Sequence, residues 1–64
     1  MKTIKEIRAK TGLSQAAFAK RFGIPKRNIE DWERGIIPAR PYFIAMLDYL
    51  ADTDYQFPSD EEDT

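Results

Sequence analysis

No cysteine and no histidine occur in the 64 residues. The first absence excludes a disulfide framework and any thiolate metal site. The second excludes His-ligated zinc and acid–base chemistry run by an imidazole. There is no glycine-rich phosphate loop, and the carboxylates gather toward one end of the chain, so neither an enzyme nor a cofactor or metal is expected. The longest apolar stretch, around Tyr42–Leu47, is far too short to cross a bilayer. The opening MKTIKEIRAK is charged throughout and holds no signal-peptide apolar segment. The expectation is a cytoplasmic protein that does not engage a membrane.

Sixty-four residues allow one small domain, whose core depends on tight packing or oligomerisation. The net charge of −1 argues against a nucleic-acid partner on the usual basic-domain criterion. The mean conceals a polarity, however. Residues 1–40 hold all ten Lys and Arg against four acids, a net of +6, while residues 41–64 hold seven acids and no base. Phosphate attraction depends on the local field at the contacting face, so a basic half with an acidic end remains compatible with DNA.

The richest segment is Leu13–Gly35, LSQAAFAKRFGIPKRNIEDWERG. Ser14 precedes a run of good helix formers, Gln15–Phe22, and its hydroxyl suits the unpaired N–H groups of a first helical turn. Phe18, Ala19 and Phe22 share one face at a 3.6-residue period, while Lys20 and Arg21 face away. Gly23 stands where the helix must stop and the chain reverse, a position that favours positive φ. Pro25 then opens a second helix with no N–H to leave unpaired. On that helix Ile29 and Trp32 face inward and Arg27, Glu30, Asp31 and Arg34 outward, until Gly35 ends it. Ala19 is small where two steeply crossing helices approach; a Leu or Phe there would cost about 1–3 kcal/mol in overpacking. Two short helices joined by a tight turn, the second with a charged outer face, form the layout that places a helix in the major groove of DNA.

This segment resembles the helix-turn-helix of the lambdoid phage repressor and Cro family, also called the XRE type. The likeness runs from about Ile4 to Leu50. Leu13-Ser14-Gln15, Phe18-Ala19, Phe22-Gly23-Ile24, Ile29 and Glu33-x-Gly35 agree with the family pattern. Pro25 departs from it, where Ser or Thr is more frequent. Trp32 departs by replacing a smaller aliphatic residue, as in small antitoxin-like and mobile-element members. The resemblance implies an all-α, compact four-helix, lambda-repressor-like domain that binds double-stranded DNA sequence-specifically as a transcriptional repressor, generally as a dimer. It also implies a buried ion pair between Arg8 and Glu33, structural rather than catalytic. The family's base-reading positions correspond to Lys26, Arg27 and Asp31, with Asn28 close by.

In that docking mode Lys26 and Arg27 lead into the groove, and Arg27 can donate two hydrogen bonds to guanine O6 and N7. Asp31 either accepts from a cytosine amino group or holds Arg27 through an i,i+4 pair, and the second reading is preferred. Phosphate contacts are expected from Gln15 with the backbone at the start of helix 2, from Arg34, and from Lys20 and Arg40. Lys20, Arg40 and Lys10 also fit an ordinary solvated surface.

Helix 1 is expected from Lys2 or Thr3 to Lys10, with Ile4 and Ile7 inward. Helix 3 is expected over about 25–34, and helix 4 from Pro41 to about Asp52. Residues 1–52 then form the DNA-binding domain, and residues 53–64 a short acidic C-terminal tail, largely unstructured. Phe43, Met46, Leu47 and Leu50 can close the core. Tyr42, Ala45 and Tyr49 lie to one side, joined by Ile36, Ile37, Tyr55 and Phe57, as either a homodimer contact or an intramolecular flank. The alternative function is an antitoxin whose segment Asp52–Thr64 binds a basic toxin partner while the helix-turn-helix regulates its own promoter. From the charge asymmetry, the acidic end either repels bulk DNA or folds back on the basic face.

Overall fold

A computed structural model describes residues 2–58. They form four helices with no strand among the described residues: α1 (Ile4–Thr11), α2 (Gln15–Phe22), α3 (Lys26–Arg34) and α4 (Pro41–Ala51). This is the all-α, four-helix architecture that the family resemblance implies. None of these helices is long and apolar enough to cross a membrane.

Local chemistry fixes the helix ends. Thr3 stands outside α1 as its cap: the Glu6 N–H donates to Thr3 Oγ1 at 3.1 Å, and the Thr3 N–H donates to Glu6 Oε1 at 2.8 Å. That reciprocal pair starts the helix at Ile4 rather than earlier. Ser14 Oγ accepts from the Ala17 N–H at 3.1 Å and starts α2. Gly23 ends α2 at φ 67°, and the Ile24 N–H closes the turn on the Ala19 carbonyl at 2.9 Å. Pro25 is the residue before α3 and makes no side-chain cap.

Ile4, Ile7, Phe18, Ala19, Phe22, Ile29 and Leu47 form the buried core. Ile7, Phe18 and Ile29 have no exposed surface; burying each such side chain contributes about 1.5–3 kcal/mol. The α4 contribution differs from expectation at one position. Met46 is 47% exposed, and Ile44 packs on the core beside Phe43, Leu47 and Leu50. At about 100° per residue, Ile44 lies closer than Met46 to the direction of Leu47. Met46 instead joins Tyr42, Ala45 and Tyr49 in one outward stripe, all four exposed. A second link between α1 and α4 is ionic: Lys10 Nζ lies 2.6 Å from Asp48 Oδ1 and 3.0 Å from Asp52 Oδ1.

The sequence predicts no structure from Thr53 onward, yet residues 53–57 run back along α2. Arg21 reaches two carbonyls of the returning chain and one of the last turn of α4, with Nε donating to Tyr55 O at 2.9 Å and Nη2 to Thr53 O at 2.7 Å and Leu50 O at 3.4 Å. The Phe57 N–H donates to the Arg21 carbonyl at 2.7 Å. Tyr55 stacks on Phe22 with ring centroids 5.9 Å apart. The Phe57 ring lies against the bare Cα of Gly23, where a Cβ would come within 2.5 Å of the ring. Tyr55 and Phe57 therefore leave the apolar group of α4 to which the sequence assigned them. Ser59–Thr64, the remainder of the acidic segment, lie outside the described residues.

Candidate nucleic-acid interface

α3 begins with three consecutive polar residues, Lys26, Arg27 and Asn28, all exposed. Their backbone is held from beneath. Ile29, one residue on, is fully buried, and Trp32 packs on Phe43 with centroids 5.2 Å apart. The exposed end is thus rigidly seated while its side chains extend into solvent. The Arg27 side chain is 83% exposed and that of Lys26 54%.

Each of these cations has an acid one turn later. Lys26 Nζ lies 3.5 Å from Glu30 Oε2, and Arg27 Nε lies 3.8 Å from Asp31 Oδ2. Both are loose i,i+4 pairs of the kind that contributes a few tenths of a kcal/mol on a helix surface. A phosphate or base edge can therefore displace them cheaply. Asp31 does not face outward as the helical pattern predicts. It is only 9% exposed; its carboxylate lies 3.8 Å from Arg27 Nε one turn earlier, and its backbone carbonyl meets the Gly35–Ile37 turn that follows. In that turn the Ile36 N–H donates to the Asp31 carbonyl at 2.9 Å.

The start of α2 joins the other helices through one cluster. Arg8 Nε donates to Glu33 Oε2 at 2.6 Å and Arg8 Nη2 to Glu33 Oε1 at 3.1 Å, a two-pronged pair from α1 to α3. Arg8 Nη1 donates to the Leu13 carbonyl at 3.0 Å. Gln15 Nε2 donates to Glu33 Oε1 at 3.0 Å and brings α2 into the same junction. The Arg8 hydrogen bonds hold the Glu33 carboxyl below its ordinary range, against the opposing effect of burial, with Gln15 adding to the shift. The same bonds raise the Arg8 guanidinium.

The remaining expected contacts are spread around this centre. Arg34 is exposed at the far end of α3. Lys20 borders a surface depression with Leu13, Ala17, Arg21 and Gln56, and Arg40 borders another with Trp32, Pro38 and Tyr42. Lys10 is committed to Asp48 and Asp52. Two features escape the sequence: the Gln15–Glu33 bond and the use of Arg21 to hold the chain after α4. The first had a signal in the pairing of polar residues at two inward-leaning helix edges. The second had one in the i,i+2 aromatics Tyr55 and Phe57 within an otherwise polar segment.

A family described as helix-turn-helix matches the chain over residues 4–55. No curated protein and no solved structure matches it.

Proposed function

The chain belongs to the XRE-type helix-turn-helix family of DNA-binding transcription regulators, and on that footing we propose that it is a repressor that reads the major groove with α3. The observation that carries the reading is the seating of α3. Its base is fixed by Ile29 and by Glu33, while Lys26 and Arg27 extend from its first turn into solvent. A recognition helix needs that combination, because base discrimination requires a rigid axis and donors that can reach guanine O6 and N7.

In this reading Lys26, Arg27 and Asn28 meet base edges. Asp31, largely covered, acts by holding Arg27 rather than by touching a base. Gln15 and the backbone at the start of α2 meet phosphate, with Arg34, Lys20 and Arg40 on the flanks. The stripe Tyr42, Ala45, Met46 and Tyr49 serves as a homodimer contact, since so small a domain gains from covering it. Residues 1–52 form the DNA-binding body.

The alternative, an antitoxin that captures a basic toxin with Asp52–Thr64, is less well supported, because Tyr55 and Phe57 are engaged on α2. Selection of bound duplexes from a random DNA pool tests the proposal. An inverted repeat among the selected sequences is the expected result. Recovery of unselected sequences only, at modest salt, overturns it.

A further inference from the structure

The Glu33 carboxylate, its side chain only 7% exposed, accepts two hydrogen bonds from Arg8 and one from Gln15 Nε2 at 3.0 Å. An ionised carboxylate has no proton to offer, so it holds a carboxamide in one direction only, nitrogen toward itself. One Gln15 N–H is committed to Glu33, the second remains, and the carbonyl oxygen is turned away. We propose that Glu33 is a positioning residue for Gln15, setting the carboxamide so that the second N–H, and not the oxygen, meets a phosphate of the DNA backbone. The proposal rests on the reading of α2 and α3 as a DNA-binding unit.

The chemistry of the two partners makes the direction matter. A phosphodiester only accepts hydrogen bonds, so an amide turned the other way would set oxygen against oxygen. Glu33 is itself an anion and would repel the phosphate that Gln15 is to bind. Arg8 balances that charge at 2.6 Å and 3.1 Å. Its Nη1 is meanwhile engaged by Leu13 O at 3.0 Å, which keeps the guanidinium directed into the junction. Arg8 therefore has a second task beside stability, neutralising a carboxylate next to the path of the backbone. A purely structural cluster would make the same bonds without linking the fate of Glu33 to what Gln15 does with DNA.

The test is a double-mutant cycle read in DNA affinity, with Gln15→Ala, Glu33→Gln and the two combined. Glutamine at position 33 keeps the size but offers either an oxygen or an N–H, so the direction of the Gln15 amide is no longer imposed. Each single variant is expected to lose about three- to tenfold in affinity, equally on selected and random duplexes, as for one net hydrogen bond. The combined variant should lose no more than the weaker single one. Losses that multiply in the combined variant overturn the proposal, as does a Glu33→Gln loss confined to the selected duplex.

Side-chain amide NMR of the free, unaltered chain provides a readout independent of both DNA and fold loss. The two Gln15 Nε2 protons should be well separated in shift, and in Glu33→Gln they should draw together while the helix amides persist. Ordinary free-amide shifts for Gln15 in the unaltered chain overturn the proposal even where duplex binding is intact. A chain that shows the separated Gln15 protons yet binds no duplex overturns the DNA reading itself.

Discussion

Arg27 and Gln15 differ in how they are held, and their substitutions should differ accordingly. Arg27 is tethered only by a 3.8 Å pair to Asp31 and is 83% exposed. Arg27→Ala should leave stability nearly unchanged and cost about 1–3 kcal/mol of discrimination for the preferred site. Titration of a selected and a random duplex side by side checks this: equal losses on both contradict base reading by Arg27. Arg8 is held in the opposite manner, by three hydrogen bonds at 2.6–3.1 Å. Arg8→Leu leaves Glu33 uncompensated and should destabilise by roughly 3 kcal/mol, the low end for a buried pair because Arg8 is 22% exposed. A thermal melt with no loss contradicts it.

The same pair gives stability a pH dependence of definite sign. Glu33 titrates lower in the folded chain than its ordinary 4.5, mainly through Arg8. Its contribution is therefore fully present above about pH 4.5 and is lost as pH falls through the depressed folded value. Melts from pH 7 down to pH 3 should show a fall below pH 4.5 that is shallower in Glu33→Gln. Arg8 and Glu33 were legible through the family likeness. Their bond to Gln15 was not, because a helix pattern gives the face of a residue and not the direction of its amide.

At the scale of elements, α2, its turn and α3 follow from local rules. Ser14 caps, Gly23 turns at φ 67°, and Phe18, Ala19 and Phe22 face the core. The face of α4 was read less well. A helix rich in apolar residues on several sides gives no strong direction, and Met46 and Ile44 were separable only by packing. Asp31 was misplaced for a related reason: periodicity sets a residue on one side of a helix but does not give how much of it the surrounding chain covers. Gly23→Ala carries two separate costs. A non-glycine residue in the left-handed region loses about 1–2 kcal/mol, and its Cβ would meet the Phe57 ring at 2.5 Å. Adding Phe57→Ala should recover the second part alone. A melt series in which Phe57→Ala restores nothing would show that the ring does not rest there in solution.

For the whole molecule, the charge polarity read from the sequence is partly resolved into contacts. Asp48 and Asp52 of the acidic half engage Lys10 of the basic half, which lowers the Asp48 carboxyl and raises the Lys10 amine. The opposed halves thus hold α4 against α1 as well as shaping the outer field. The α4 stripe sets the last expectation. Replacing Tyr42 and Tyr49, 74% and 71% exposed, by Lys should shift the melt little, as for surface changes generally. On the proposed homodimer reading, the unaltered chain should sediment as a dimer and this variant as a monomer, and affinity for an inverted repeat should fall more than for a half-site. Identical sedimentation of both chains removes the stripe from the assembly.

Phe57 stands two residues beyond the matched segment 4–55 and touches the corner that aims α3. A protease that nicks the chain after Gln56 would spare every helix and still detach the brace from that corner. If α3 reads DNA as proposed, such trimming would loosen the grip on the duplex, and both effects would trace to one aromatic ring resting on a glycine.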